Sequence, residues 1–267
     1  MKSISAAYLK KIEEMRKACS IAFSKNLIDT HSGNISCGDA LNNELIITKT
    51  GASLINLEIN DFTIAPLETA DTVSSGSYYA TDVCEESSPS SEIAVHRFIA
   101  KSYPDSYILH THPETAIALS INNNYRCSNN KYIYNFEDFN ENKDDMLTLD
   151  RKNADKKNLN IDAIFNLFKI YPELKILKPA DFEASYFFPL IYIFPLNFID
   201  DIKSNKKNNI NFKINDIFAD YGIFIIKYHG CFAWGKTALD ALRWTMMLES
   251  SSKILYMLNT LLSTATS

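Results

Sequence analysis

The sequence predicts a single α/β domain, and three observations carry that prediction. A length of 267 residues suits one large domain or two small ones. Helical and strand periodicities are intermixed along the chain rather than segregated. No clean linker and no internal repeat divides it.

The elements follow in order. Ser5 to Lys25 is predicted helical, because Ala7, Leu9, Ile12, Met15, Ala18, Cys19 and Ala22 recur close to a 3.6-residue period. The run Asn26-Leu27-Ile28-Asp29 ends it, and His31-Ser32-Gly33-Asn34 is a small-residue turn. Glu44 to Thr48 is a strand that breaks at Gly51. Residues 70–91 are rich in Ser, Thr and Gly and are expected as hairpin and loop. Pro89-Ser90-Ser91-Glu92 opens a helix to about Ser102, with a serine N-cap and an acid in the first turn. Tyr107 to His110 is a short strand and Thr115 to Ile121 a helix.

The composition then shifts. Residues 122–160 hold eleven Asn, seven acids and seven bases, and are expected to form a polar surface insertion in a domain spanning 1–267. Ile161 to Tyr171 is an amphipathic helix, Tyr186 to Phe194 an apolar strand region, and Ile223 to Ile226 a buried strand running into Lys227-Tyr228-His229-Gly230. The last helix starts near Thr237 and carries Ala238, Ala241, Leu242, Thr245, Met246, Leu248, Ile254 and Leu255.

Bulk properties exclude several classes. The chain is 46% hydrophobic and 22% charged, which excludes wholesale disorder. With a net charge of -5, a pI near 5.6 and no basic stripe, nucleic acid is not an expected partner. The longest uncharged apolar run, Tyr186 to Ile199, is too short to span a bilayer and contains Pro189 and Pro195, so no membrane partner is expected. The N-terminal stretch meets Lys10, Lys11, Glu13 and Glu14 at once and reads as an amphipathic helix rather than a signal peptide. Five scattered cysteines without a CxxC read as reduced thiols in a cytoplasmic protein.

The chemistry concentrates on histidine. His110-Thr111-His112 stands at a strand end, where side chains at i and i+2 share a face and can take adjacent positions on one metal ion. A lone pair of this kind is more often a surface coincidence than a site. Here Pro113 ends the strand at once, so the pair sits at a rim. His229 ends another buried strand, and three such histidines make an open metal site with a free position. Glu92 is the candidate acid, at the start of a helix whose Ser90-Ser91 opening exposes free backbone N–H groups, a ready anion site. Simple helix capping is the plainer reading of Ser-Ser-Glu, as ordinary turn chemistry is of Gly33-Asn34 and Thr50-Gly51. His96, one helical turn after Glu92, reads as a structural hydrogen-bond partner. His31 reads as a turn residue, Cys231 as packing, and Trp234 with the aromatics of 186–194 as core.

Five motifs in order then carry a resemblance. They are Ser32-Gly33-Asn34-Ile35-Ser36, Ile47-Thr48-Lys49-Thr50-Gly51, Pro89-Ser90-Ser91-Glu92 with His96, Ile108-Leu109-His110-Thr111-His112-Pro113, and His229-Gly230 before a long helix. Together they resemble the class II aldolase/adducin family over roughly 5–121 and 176–262. The resemblance implies a three-layer α/β/α fold around a largely antiparallel central sheet, usually in a homotetramer. It implies one divalent metal per chain, usually Zn2+, on His110, His112 and His229. It places the catalytic acid on Glu92 and a phosphate pocket on Gly33, Asn34, Thr50, Gly51, Ser90 and Ser91. The implied reaction is cleavage or formation of a C–C bond in a small phosphorylated ketose or related hydroxy-carbonyl compound, through a metal-stabilised enediolate. Dehydratase or epimerase chemistry on the same site, and a non-catalytic adducin-like scaffold, are the alternatives. Glu92 stands where epimerase members tend to carry Asp, which tilts the choice toward aldolase or dehydratase chemistry. Tyr125, Tyr132 and Tyr134 are available as proton donors, and none is assigned.

Overall fold

The computed structural model describes residues 5–68, 88–121, 126–127, 130–141, 160–204, 212, 214–218 and 220–265. The loop expected at 70–91 falls outside the described residues except at its end, 88–91.

A nine-stranded sheet forms the middle layer, in the order β3-β2-β1-β4-β11-β10-β9-β8-β7. These strands are β1 (Asn34–Asp39), β2 (Glu44–Thr48), β3 (Phe62–Pro66), β4 (Tyr107–Thr111), β7 (Ile133–Tyr134), β8 (Lys175–Leu177), β9 (Ile191–Phe194), β10 (Gly222–Ile226) and β11 (Gly230–Gly235). Short β5 (Arg126–Cys127) and β6 (Asn130–Lys131) pair separately. Every pairing in the large sheet is antiparallel except β9 with β10.

Alternation along the strands explains the layers. Ile108, Phe224, Ile226, Phe232 and Trp234 point to one face, with Val95 and Ile99 of α2 (Ile93–Ala100) and Ile164 and Leu167 of α5 (Ile161–Ile170). Phe139 of α4 (Phe136–Glu141) and Phe198 of α7 (Asn197–Lys203) complete that layer. Ile35, Leu109, Ile223, Ile225 and Ala233 point to the other face. There they meet α1 (Ala6–Ser24), α3 (Glu114–Ile121), α6 (Phe182–Phe187) and the long α8 (Ala238–Ala265). This is the three-layer α/β/α arrangement with a largely antiparallel sheet.

Local departures from expectation have physical causes. The buried stripe of α1 begins at Tyr8 rather than at Ala7 and Leu9, because Tyr8 sits four residues before Ile12 and its hydroxyl donates to Glu44. On α8, Met247 and Trp244 are buried while Met246 is exposed. The apolar run from Tyr186 is not one strand. Asp181 accepts from the Ala184 N–H at 2.8 Å and caps α6, and β9 starts only after Pro189.

The stretch expected as a surface insertion is in part built into the body. Ile133 and Tyr134 pair with Leu177 and Ile176 at the sheet edge. Phe139 is fully buried between Phe165 and Phe168. The expected surface character therefore fails at Ile133, Tyr134 and Phe139, while residues 135–137 are exposed; residues 142–159 lie outside the described residues. Phe139→Ala is expected to cost about 3–4 kcal/mol, read as a shift in the denaturant midpoint. A shift no larger than that of an exposed-site control would mean that Phe139 is not a core residue.

Candidate metal centre and active site

The site grows out of strand register. β4 lies between β1 and β11, with Asn34 and Phe232 directly beside His110 on its two sides. All three side chains therefore lie on the α2 side of the sheet. His112 follows the end of β4, and its N–H donates to the Leu27 carbonyl at 2.9 Å. His229 sits in the turn between β10 and β11, after Tyr228, whose φ of 67° is unusual for a large side chain. Gly230 makes room for the cluster: a Cβ there would lie 2.4 Å from the Thr111 carbonyl oxygen and 2.7 Å from His112 Cδ2. Gly33 is constrained twice, by φ of 87° and by the His110 carbonyl oxygen 2.5 Å from where a Cβ would be.

The result is a compact trio of rings. His110 stacks between Phe232 and His229, with ring centroids 4.2 and 4.9 Å away. One nitrogen from each of His110, His112 and His229 lies within 4.8 Å of the others, so the trio can hold a metal ion. The donor chemistry fits. A carbonyl only accepts, so the 2.9 Å contact from His110 Nδ1 to the Cys231 carbonyl puts the ring proton on Nδ1. The Nε2 lone pair then points into the cluster, where it accepts from His112 Nε2 at 2.9 Å. Burial pushes His110 down to about 3, against the pull of Glu92, so its imidazole is neutral near pH 7. The Cys231 thiol is pushed up to about 12 by burial and contacts Thr111, which fits packing rather than ligation.

Glu92 faces this cluster. It is the residue just before α2, yet its side chain does not cap the helix. Oε1 accepts from His229 Nε2, and Oε2 lies 3.2 Å from His110 Nε2 and accepts from Asn34 Nδ2 at 2.6 Å. Ser90 shapes the turn before the helix, its hydroxyl accepting from the Glu92 N–H at 3.3 Å. Burial opposes the Glu92 charge, but the hydrogen bond from His229, the field of His110 and the Asn34 amide hold its carboxyl well below the usual range.

Behind Glu92, His96 is buried to 0% exposure, bonded to Asn34 and Ser36. Burial holds it down to about 4, against the opposite pull of Glu92. An unfolded histidine titrates near 6.5, so the unfolded chain binds more protons between those values and stability rises with pH across that window. The metal-free protein is therefore expected to lose roughly 3 kcal/mol as pH falls from about 6.5 to 4 through this residue alone. Urea midpoints across that range check it; an equal slope in His96→Gln would remove His96 as the cause.

The six residues expected around an anion are brought together only in part. The loops of Gly33, Thr50-Gly51 and Ser90-Ser91 do converge. Leu54 N–H donates to Thr30, Thr50 N–H to Ser88, each at 3.0 Å, and Lys49 bridges to Pro89. Thr50, Gly51 and Ser91 are exposed there. The Asn34 amide faces Glu92 and His96. The Thr50 hydroxyl donates to the Pro89 carbonyl at 2.8 Å. His31 is an exposed turn residue against Thr30. Of the three tyrosines, Tyr134 is buried in the core, Tyr132 is half-buried, and Tyr125 lies outside the described residues. The roles of Asn34 toward Glu92, of Ser36 and of Phe232 were missed by motif reading. Asn34 ends a turn in the sequence reading, so the strand that puts Asn34 and Ser36 on one face is seen only in the structure.

The sequence profile of the class II aldolase and adducin N-terminal domain matches residues 13–159. No curated protein matches the chain. Among solved structures, L-fuculose-1-phosphate aldolase from Thermus thermophilus is similar at a TM-score of 0.54 and 19% identity, covering 91% of each chain. The sugar-phosphate aldolase from Thermotoga maritima gives 0.54 and 18%, over 96% of this chain and 97% of the other. YgbL from Klebsiella pneumoniae gives 0.56 and 17%, over 94% and 90%. The first two motifs, the Glu92 helix and the His110-Thr111-His112 strand all fall within the matched profile, and the chain belongs to the class II aldolase and adducin family.

Proposed function

We propose that this aldolase-type enzyme is a metal-dependent lyase that cleaves or forms a C–C bond in a small, phosphorylated ketose or a related hydroxy-carbonyl compound. One observation carries the reading: three imidazole nitrogens within 4.8 Å of one another, with the Glu92 carboxylate against two of the same rings. A scaffold has no physical need for that set. His110, His112 and His229 would hold a divalent cation, Zn2+ by the donor set, one per chain. When bound, it supplies Lewis-acid polarisation of the substrate's carbonyl and neighbouring hydroxyl oxygens.

The chain's own residues do the rest. Glu92 takes the proton from the carbon beside the carbonyl and returns it in the reverse direction. Asn34 fixes one carboxylate oxygen and leaves the other turned toward the histidines. The convergent loops of Gly33, Thr50-Gly51 and Ser90-Ser91 would hold the phosphate of the substrate, which fixes the reacting carbon beside Glu92. The epimerase and dehydratase alternatives differ only in what happens after that proton has left.

The setting follows the same reading. We place the protein in the cytoplasm as a homo-oligomer, a tetramer by family resemblance, with one domain over 1–267. Cys19, Cys37 and Cys231 are free and buried, and among the described residues no helix is long and apolar enough to cross a membrane. Phe182, Tyr256, Met257 and Leu261 are each at least half exposed, large apolar side chains of the kind a subunit contact would cover.

The test is metal content by elemental analysis, followed by proton exchange at carbon in D2O with dihydroxyacetone phosphate, the smallest phosphorylated ketose. About one metal ion per chain and loss of the C–H signal next to the carbonyl are expected. A metal-free protein that takes up no added zinc would move the assignment to an adducin-like scaffold.

A further inference from the structure

The residues behind Glu92 form a chain with a direction. Asn34 Nδ2 donates to Glu92 Oε2 at 2.6 Å, Asn34 Oδ1 accepts from His96 Nε2, and His96 Nδ1 accepts from the Ser36 hydroxyl at 2.7 Å. Asn34, Ser36 and His96 are 6%, 0% and 0% exposed, so no solvent competes for these bonds. Asn34 and Ser36 come from one face of β1, and His96 from the helix turn after Glu92. The edge of Phe232 closes the other side of the His96 ring at 5.7 Å.

Each junction admits one orientation. An amide oxygen only accepts, so His96 carries its proton on Nε2. A neutral imidazole then leaves Nδ1 as an acceptor, which takes the Ser36 hydroxyl proton. With the opposite tautomer, a lone pair would face Asn34 Oδ1. Flipping the Asn34 amide to relieve that would turn its oxygen onto the Glu92 carboxylate, setting two acceptors against each other. A carboxylate without its Asn34 donor rotates in a broad torsional well.

We propose that His96 is a positioning residue for proton transfer: with Ser36 it fixes the Asn34 amide, which holds the Glu92 carboxylate in place against the histidine cluster. The inference rests on the reading of Glu92 as the base. It goes beyond a structural role because it assigns the effect to the proton-transfer step and not to the metal or to folding. A displacement of about 1 Å costs proton transfer on the order of 10²-fold.

The experiment uses full-length zinc-loaded protein, in the parent and in His96→Phe, His96→Gln, Ser36→Ala and Asn34→Ala. Three quantities are read: exchange of dihydroxyacetone phosphate in D2O, zinc per chain, and the ring-nitrogen NMR spectrum of His96. His96→Phe is expected to slow exchange about 10- to 100-fold through kcat with KM nearly unchanged and zinc retained. His96→Gln, which keeps a donor and an acceptor, is expected to recover most of the rate. The parent spectrum is expected to show the proton on Nε2, with both tautomers appearing in Asn34→Ala. Wild-type exchange in His96→Phe, zinc loss in step with the rate, or a proton on Nδ1 in the parent would each overturn the proposal. If His96→Phe does not fold, Ser36→Ala and the spectra decide it. A parent that shows no exchange at all refutes the proposed reaction, and with it the role in proton transfer. The spectra would then still decide the hydrogen-bond chain: a His96 spectrum unmoved by Asn34→Ala breaks it.

Discussion

Glu92→Gln is expected to keep its metal and to lower proton exchange at carbon by about 10²- to 10⁴-fold, the usual worth of a positioned base. The substitution preserves shape, and a glutamine oxygen can still accept from the Asn34 amide. What it removes is the ability to take a proton. Glu92 is not one of the three imidazoles that can hold the cation, so zinc per chain should not change. Folding should not suffer either: a buried charge that must be kept out of water is replaced by a neutral group of equal size. The measurement is the exchange rate of dihydroxyacetone phosphate in D2O, beside elemental analysis and a melting curve. Exchange within tenfold of the parent, with metal retained, would remove Glu92 as the base.

Much of this site was legible because its parts obey short-range rules. His110 and His112 share a face through strand alternation, and Pro113 marks the strand end that puts them at a rim. Helices such as 6–24 and 161–170 followed from apolar spacing. What remained hidden depends on register between distant strands. Nothing in the local sequence says that Asn34 stands beside His110, or that Phe232 flanks it on the other side. The Asn34 amide was therefore assigned to an anion, whereas its side chain faces Glu92. The polar stretch was misjudged around Phe139 for a related reason. Composition averages over a window, and a few apolar residues, Ile133, Tyr134 and Phe139, suffice to tie a polar segment into a core. The split of the run after Tyr186 into helix and strand was set by one capping aspartate and one proline.

His229→Ala is expected to empty the metal site while leaving the fold intact. A full set of ligands binds structural zinc with about 10–16 kcal/mol, so one lost imidazole removes roughly 3 kcal/mol, on the order of 10²-fold in affinity. His229 is the ligand to remove first because its side chain is 29% exposed, against 1% for His110. Truncating His110 would also open a void against Phe232 and strip the Cys231 carbonyl of its donor, a combined cost of about 2–3 kcal/mol that would confuse metal loss with unfolding. Equilibrium dialysis against zinc, followed by elemental analysis, gives the affinity, and a melting curve of the metal-free protein gives the fold. The two variants separate the causes: both should lose zinc, but only His110→Ala should melt markedly lower without metal. Because the imidazoles bind as neutral rings, zinc should also be released as pH falls. Full zinc occupancy in His229→Ala at equal affinity would place the metal elsewhere, and the three-histidine centre would have to be given up.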